Sequence, residues 1–265
     1  MRNLLVLFFC VIPTICFAKQ DDPKPLPTCG VQVPYGIPVV NKEVTLICRT
    51  AYLTANDQSA KLPVWVSYHL TPEHAVGCEA RLNAFAPDAS LPVGHRSELK
   101  DFRTSGYDMG HMAPNGDMSW NPDVARESFI LSNMSPQLPN LNRGAWKFLE
   151  SVVREWAAGE KRDLIVYVGP IYAMNDQTIG NKVVVPAAFY KIVIDQKSGE
   201  HLAFIMPHTN DVKNDLKLYQ TTVDNIEQAT GVKFPMPAGT NKSTKSTLWP
   251  YSLKELTASK RQVCQ

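Results

Sequence analysis

The chain has 265 residues, enough for a sizeable core, and a formal charge of only +2. That balance excludes a protein that gathers polyanions by bulk charge, so any nucleic-acid binding must use a local basic face. The six cysteines include no C-x-x-C pair and no histidine at ligand spacing, which argues against a zinc site.

In chain order, residues 1–18 have the form of a signal peptide. Arg2 is positive, residues 4–12 are a short apolar run, and Cys16-Phe17-Ala18 suits cleavage. The run is broken by Pro13 and is too short to span a bilayer. Its removal takes away Arg2 and no acid, lowering the charge from +2 to +1. The expected mature chain, residues 19–265, is a single exported domain, periplasmic or secreted, with no membrane segment. It keeps Cys29, Cys48, Cys78 and Cys264, which in an exported chain suggest two disulfides with three possible pairings.

Residues 19–40 are proline-rich and predicted extended. Residues 42–54 alternate in part and predict a strand, and the β-formers of 63–71 predict another. The aperiodic stretch 72–106 carries Arg81 and runs into the histidine motif, so it reads as one wall of a cleft. A short helix over 122–128 and a short strand over 129–132 follow. Residues 141–158 give the clearest helix, with Trp146, Leu149, Val153 and Trp156 at three- and four-residue steps and Gly159 as its stop. Residues 164–169 predict a continuous apolar strand, 189–195 and 201–206 a hairpin, and 223–230 a helix closed by Gly231. The polar tail is pinned by Cys264. The fold class is α+β, an antiparallel β-sheet flanked by helices.

The chemistry concentrates in the stretch from Gly106 to Glu150. His111 lies between Gly110 and Met112, and an imidazole can take a proton near neutrality without heavy tuning. Asn142 opens the long helix. Its amide can cap that helix or offer a hard oxygen to Mg²⁺, and Asn140 is already available as the cap. Glu150 lies eight residues on, just over two turns, on the same broad face, where it can support the waters of a sparsely held ion. Asn133, ending the 129–132 strand, can hold His111 or a phosphate. Arg81, Arg96, Arg103 and Arg143 are the guanidiniums available to phosphate oxygens.

The runs Asp108-Met-Gly-His-Met-Ala-Pro114, Leu131-Ser-Asn-Met-Ser-Pro-Gln137 and Leu141-Asn-Arg-Gly-Ala-Trp-Lys-Phe-Leu-Glu150 resemble the DNA/RNA non-specific endonucleases, the family of Serratia nuclease and endonuclease G. The three clusters occur in the family's order, and the likeness extends over most of the mature chain. The resemblance implies an embedded ββα-metal (His-Me finger) motif in which two strands carry His111 and Asn133 and the next helix carries Asn142 and Glu150. It further implies His111 as general base, Asn142 as the direct ligand of Mg²⁺ (or Mn²⁺), Glu150 and Asn133 as supports, and Arg81 as a transition-state cation. DNA and RNA are the implied substrates, cut with little sequence preference to 5′-phosphate products. One position departs from the pattern: Met109 stands where the family motif has arginine, and a thioether cannot replace a guanidinium at phosphate. This departure motivates a second reading, a nuclease-fold protein that binds nucleic acid without cutting it efficiently. A third reading is an exported esterase of small phosphodiesters.

Overall fold

A computed structural model of the chain describes residues 29–172 and 177–264. The expected leader at 1–18, and the start of the proline-rich stretch, lie outside the described residues. Among the described residues, no helix is long and apolar enough to cross a membrane.

The elements run in the order β1 (Thr45–Cys48), β2 (Tyr52–Asp57), β3 (Leu62–Leu70), α1 (Leu99–Phe102), β4 (Asp108–His111), α2 (Asn115–Met118), α3 (Pro122–Glu127) and β5 (Met134–Gln137). Next come α4 (Lys147–Ala158), β6 (Leu164–Ile171), β7 (Thr178–Ile179), β8 (Val183–Val184), β9 (Ala188–Asp195), β10 (His201–Pro207), β11 (Gln220–Thr221), α5 (Val223–Thr230) and α6 (Leu253–Val263). A seven-stranded sheet in the order β1-β2-β3-β6-β9-β10-β11 forms the centre, with every neighbouring pair antiparallel. The pairs β4-β5 and β7-β8 are separate small ladders.

Both faces of the sheet are covered, which explains why β6 reads as one apolar run although its sheet is antiparallel. Val66, Val166, Val168, Phe189 and Phe204 pack on one face with Trp146, Leu149, Val153 and Trp156. The alternate residues Trp65, Ile165, Tyr167, Ile192 and Ile194 pack on the other, with Val223 and Ile226 of α5 and with Phe234. The stripe that predicted the long helix is therefore its core face. Gly231 ends α5 in the left-handed conformation at φ 70°, where glycine carries no Cβ penalty.

Four expectations need correction. Residues 42–54 are not one strand: the chain turns after Cys48 and returns as β2, closed by Arg49 N–H donating to the Tyr52 carbonyl at 2.9 Å. Residues 129–132 are not a strand either. Asn133 N–H bonds to the Ile130 carbonyl at 2.9 Å and Met134 N–H to the Leu131 carbonyl, winding a 3₁₀ turn, while Ile130 makes only an isolated bridge to Ala86. The strand starts only at Met134, so Asn133 precedes it, and Pro136 lies within a two-stranded ladder whose edges tolerate a missing donor. The helix predicted over 141–158 is regular only from Lys147; before it, Leu141–Trp146 is a wider π-type turn broken at Gly144 (φ −104°, ψ −110°). The polar tail folds as α6, anchored by buried Leu256 and by Trp156 Nε1–H donating to the Pro250 carbonyl at 2.9 Å.

The disulfides left open by the sequence are Cys29–Cys48 and Cys78–Cys264. The first ties the N-terminal segment to β1, and the second ties α6 to the stretch that leads to Arg81. That stretch is aperiodic because its organiser is a side chain. Buried Asp88 accepts from Arg49 Nη2 at 2.6 Å and from the Ser90 and Ser132 hydroxyls, while its carbonyl accepts from Arg96 Nη1. Asp88→Ala leaves the partly buried Arg49 guanidinium without its partner. The expected loss in urea unfolding is about 3–5 kcal/mol, together with weaker ordering of the segment that carries Arg81.

Candidate active site

β4 and β5 pair antiparallel, with Asp108 opposite Gln137 and His111 opposite Met134. Gly110 is fixed by this contact: a Cβ there would lie 2.1 Å from Gln137 Oε1. The pairing delivers His111 to the end of β4, 7% exposed, with Phe129 edge-on at 5.0 Å and Phe85 at 5.7 Å. Burial and then the Arg81 charge pull the imidazole down to about 3, so it stays neutral well below pH 6. Its Nε2 is buried with no hydrogen-bond partner among the described residues.

His111 lines a cleft of about 750 Å³ whose walls also include Arg81, Asn142, Glu150 and Arg154. Asn142 reaches it from the π-type turn. Its Nδ2–H donates to Asp108 Oδ2 at 2.8 Å, and its Oδ1 has no protein partner among the described residues. Arg143 donates to both oxygens of Asp108, at 2.8 and 2.6 Å. Burial raises the Asp108 pKa, but the Arg143 and Asn142 hydrogen bonds outweigh it and hold the carboxyl below its usual range. Neither Asn140 nor Asn142 caps the turn with its side chain.

Glu150, on α4, is partly accessible from the cleft yet surrounded by protein, and its carboxylate has no hydrogen-bond partner among the described residues. Burial lifts its pKa to about 7 against the opposing pull of Lys191 and Arg154. Lys191 is fully buried on β9, with Nζ 4.9 Å from the Trp146 ring centroid and its pKa lowered by burial. Arg154 donates from Nη1 to Asp117 Oδ1 at 2.7 Å, and the other Asp117 oxygen accepts from the Tyr68 hydroxyl at 2.8 Å. The sequence reading missed Arg154, although its spacing of four from Glu150 places both on one helix face. Asp117 and Lys191 left no comparable signal, because their partners lie far along the chain.

Asn133 does not reach the cleft. It is fully buried, with Nδ2 donating to the Ala113 and Ser128 carbonyls at 2.9 and 2.8 Å and Oδ1 accepting from Ala113 N–H at 2.9 Å. It holds the backbone just after His111 and has no donor left for a phosphate. Arg81 does line the cleft, its guanidinium 5.0 Å from the Phe129 ring and its Nε–H bonded to Asn83. Of the other candidate cations, Arg96 is spent on Glu98 and two carbonyls, Arg143 is held by Asp108, and Arg103 lines the cleft with no ion pair among the described residues. Met109 also lines the cleft, packed partly against the small cluster around Leu131 and Met134.

A neutral imidazole, an amide oxygen without a protein partner and several guanidiniums around one opening are compatible with the class implied by the sequence motifs. Comparison with known proteins gives the same class, and the chain belongs to the DNA/RNA non-specific endonuclease family, whose model matches residues 33–241. It is similar to mitochondrial endonuclease G of Bos taurus, 30% identical over 221 residues covering 77% of this chain and 73% of that protein. A nuclease of Nostoc sp. is 31% identical over 201 residues, covering 71% and 72% respectively. A crystal structure of the EndoG/EndoGI complex superposes with a TM-score of 0.68 at 29% identity, covering 77% of this chain and 90% of that one. The fold is accordingly α+β with an antiparallel sheet, and β4, β5 and α4 form its ββα unit. The protein is an enzyme, a nuclease acting on nucleic acid.

The two asparagines are expected to separate experimentally. Asn133→Ala strips three buried hydrogen bonds and should cost about 2–3 kcal/mol of stability, whereas Asn142→Ala, at the cleft edge, should cost about 1 kcal/mol. Chemical denaturation checks the first value. The same measurement on Asn142→Ala checks the second value.

Proposed function

We propose that this nuclease is an exported, Mg²⁺-dependent endonuclease that hydrolyses the phosphodiester bonds of both DNA and RNA, leaving 5′-phosphates. The observation that carries this reading is the meeting of His111, Asn142 and Glu150 in one cleft, with the imidazole held neutral. Family members generally work with a divalent metal, and the residues present fit a hard, oxygen-liganded ion. Asn142 Oδ1 lacks a protein partner, and the Asp108 hydrogen bond fixes which way it faces. Glu150 offers an unpaired carboxylate on the same wall. Mg²⁺ held there would act as a Lewis acid, stabilising charge on the phosphate and leaving oxygens.

In the proposed reaction His111 takes one proton from water, whose oxygen bonds to phosphorus as the bond to O3′ breaks, and the departing oxygen is protonated from solvent. Burial keeps the imidazole unprotonated and so able to accept a proton, at the expense of its basicity. Arg81 and Arg154 face the cleft, where they would oppose the phosphate's charge. Asn133 acts through the backbone after His111 and is a positioning residue. Contacts of this kind address backbone rather than base edges, consistent with weak sequence preference. Export is supported by the two disulfides, which suit an oxidising compartment; several similar nucleases are named mitochondrial.

Met109 gives a second reading its footing: a nuclease whose cleavage is weakened while binding persists. One assay separates the two. Plasmid DNA and RNA incubated with Mg²⁺ or Mn²⁺ should be fragmented, EDTA should stop it, and His111→Ala should slow it by about 10²–10⁴. Retarded but intact substrate would establish binding alone. In the same assay Met109→Arg, which restores a guanidinium beside the cleft, is expected to raise the rate.

The pH profile should follow Glu150 rather than His111. With its pKa raised to about 7, Glu150 becomes neutral as pH falls through 7, and its support is lost. A bound cation favours the ionised form, so the acid limb of kcat/KM should move to lower pH as Mg²⁺ is raised. Glu150→Gln should lower the rate and flatten that limb. An acid limb near 6.5 that ignores both metal concentration and Glu150→Gln would assign it to another group.

A further inference from the structure

Away from the cleft, three carboxylates converge where α4 ends and α6 begins. One oxygen each of Glu155, Glu160 and Glu255 lies within 4.8 Å of the others. Glu160 and Glu255 are exposed, but Glu155 has no solvent-exposed surface, although only a thin layer of protein covers it. Both oxygens of Glu155 are buried, and neither has a hydrogen-bond partner of acceptable geometry among the described residues. An ionised carboxylate in that condition is costly, and surrounding it with two more of the same sign adds to the cost.

The local backbone makes this worse for an anion and better for a cation. Glu155 sits in the last turn of α4, at the negative end of the helix dipole. The chain also keeps space for the group: a Cβ at Gly159 would lie 2.6 Å from Glu155 Oε1. Burial is the largest influence on Glu155 and raises its pKa. The nearby Ser252 N–H opposes this, while the charges that act on it are those of Glu160 and Glu255. The two guanidiniums nearest in sequence are engaged elsewhere, Arg154 by Asp117 and Arg162 by Asp195 and Glu200.

We propose that Glu155, Glu160 and Glu255 form a second divalent-cation site, of the calcium class, that clamps the C-terminal helix α6 onto the end of α4. One oxygen from each of the three carboxylates lies close enough to the others to share a single ion. Calcium also accepts an irregular set of carboxylates completed by water, while Mg²⁺ demands tight octahedral geometry. Its effect is on stability. It holds the same helix that Cys264 anchors to Cys78, and it touches none of the residues assigned to cleavage.

The test is calcium titration of the metal-stripped, full chain by calorimetry, with thermal unfolding alongside. At about a hundredfold excess over Kd, calcium should raise Tm by about 5–10 °C. The double variant Glu160→Gln, Glu255→Gln changes only exposed side chains. It should bind one calcium ion fewer than the parent and lose that part of the Tm gain, while Mg²⁺-dependent plasmid cleavage stays unchanged. Glu155→Gln should raise the metal-free Tm and abolish the same calcium response. The proposal is overturned if the double variant binds as many calcium ions as the parent. It is equally overturned if Glu155→Gln keeps the full calcium-induced shift.

Discussion

The site depends on one carboxylate. Asp108 begins the strand that ends in His111, and it accepts hydrogen bonds from Asn142 and Arg143, which lie 34 and 35 residues further along the chain. Through it the histidine strand and the turn ahead of α4 become one rigid piece. The bond also removes a freedom that an amide otherwise keeps: with Nδ2 committed to Asp108, Asn142 cannot flip, and its oxygen faces a set direction. Arg143, exposed at the rim, keeps Asp108 ionised and so maintains the grip. Beneath this joint, Trp146, Leu149 and Val153 seat α4 on the sheet, and Asp117 with Arg154 braces the helix from its cleft side.

The surrounding scaffold manages an awkward set of charges. Glu150, Arg154, Asp117 and Lys191 share a protein-enclosed region between helix and sheet, and each influences its neighbours' protonation. Buried groups of opposite sign compensate one another only while all are present. A chain that places a lysine in the centre of an apolar strand, with an aromatic face rather than an acceptor beside its ammonium, accepts a cost in stability at this place. That cost falls beside Glu150, whose pKa burial has raised to about 7.

Much of this was legible in the sequence, for identifiable reasons. His111, Asn142 and Glu150 belong to contiguous motifs, and the fold brings all three to one cleft. The apolar stripes of α4 and β6 read correctly because burial imposes a period. What could not be read depended on contacts across the chain. Ser132 and Asn133 look like strand residues, yet hydrogen bonds from Asn133 to Ile130 and from Met134 to Leu131 wind them into a turn, and Ile130 pairs only in an isolated bridge to the distant Ala86. Gly144 lies inside a helical pattern and breaks it. The α6 helix is polar on most of its surface, so little beyond Leu256 marked a core face. Asp88 and Asp117 are organisers that reach side chains 37 to 49 residues away (Arg49, Ser132, Arg154 and Tyr68), and no local pattern announces such a role.

The Cys78–Cys264 bridge spans 186 positions, while Cys29–Cys48 spans 19. The chain is made from its N-terminus, so the short bridge can close before the long one, which must wait for Cys264. Cys78 stands three positions before Arg81, so the flank of the cleft acquires its covalent tether last of all. Maturation is thereby ordered by connectivity alone. A polypeptide that stops a few residues short would contain every group assigned to cleavage and still lack the bond that fastens that flank.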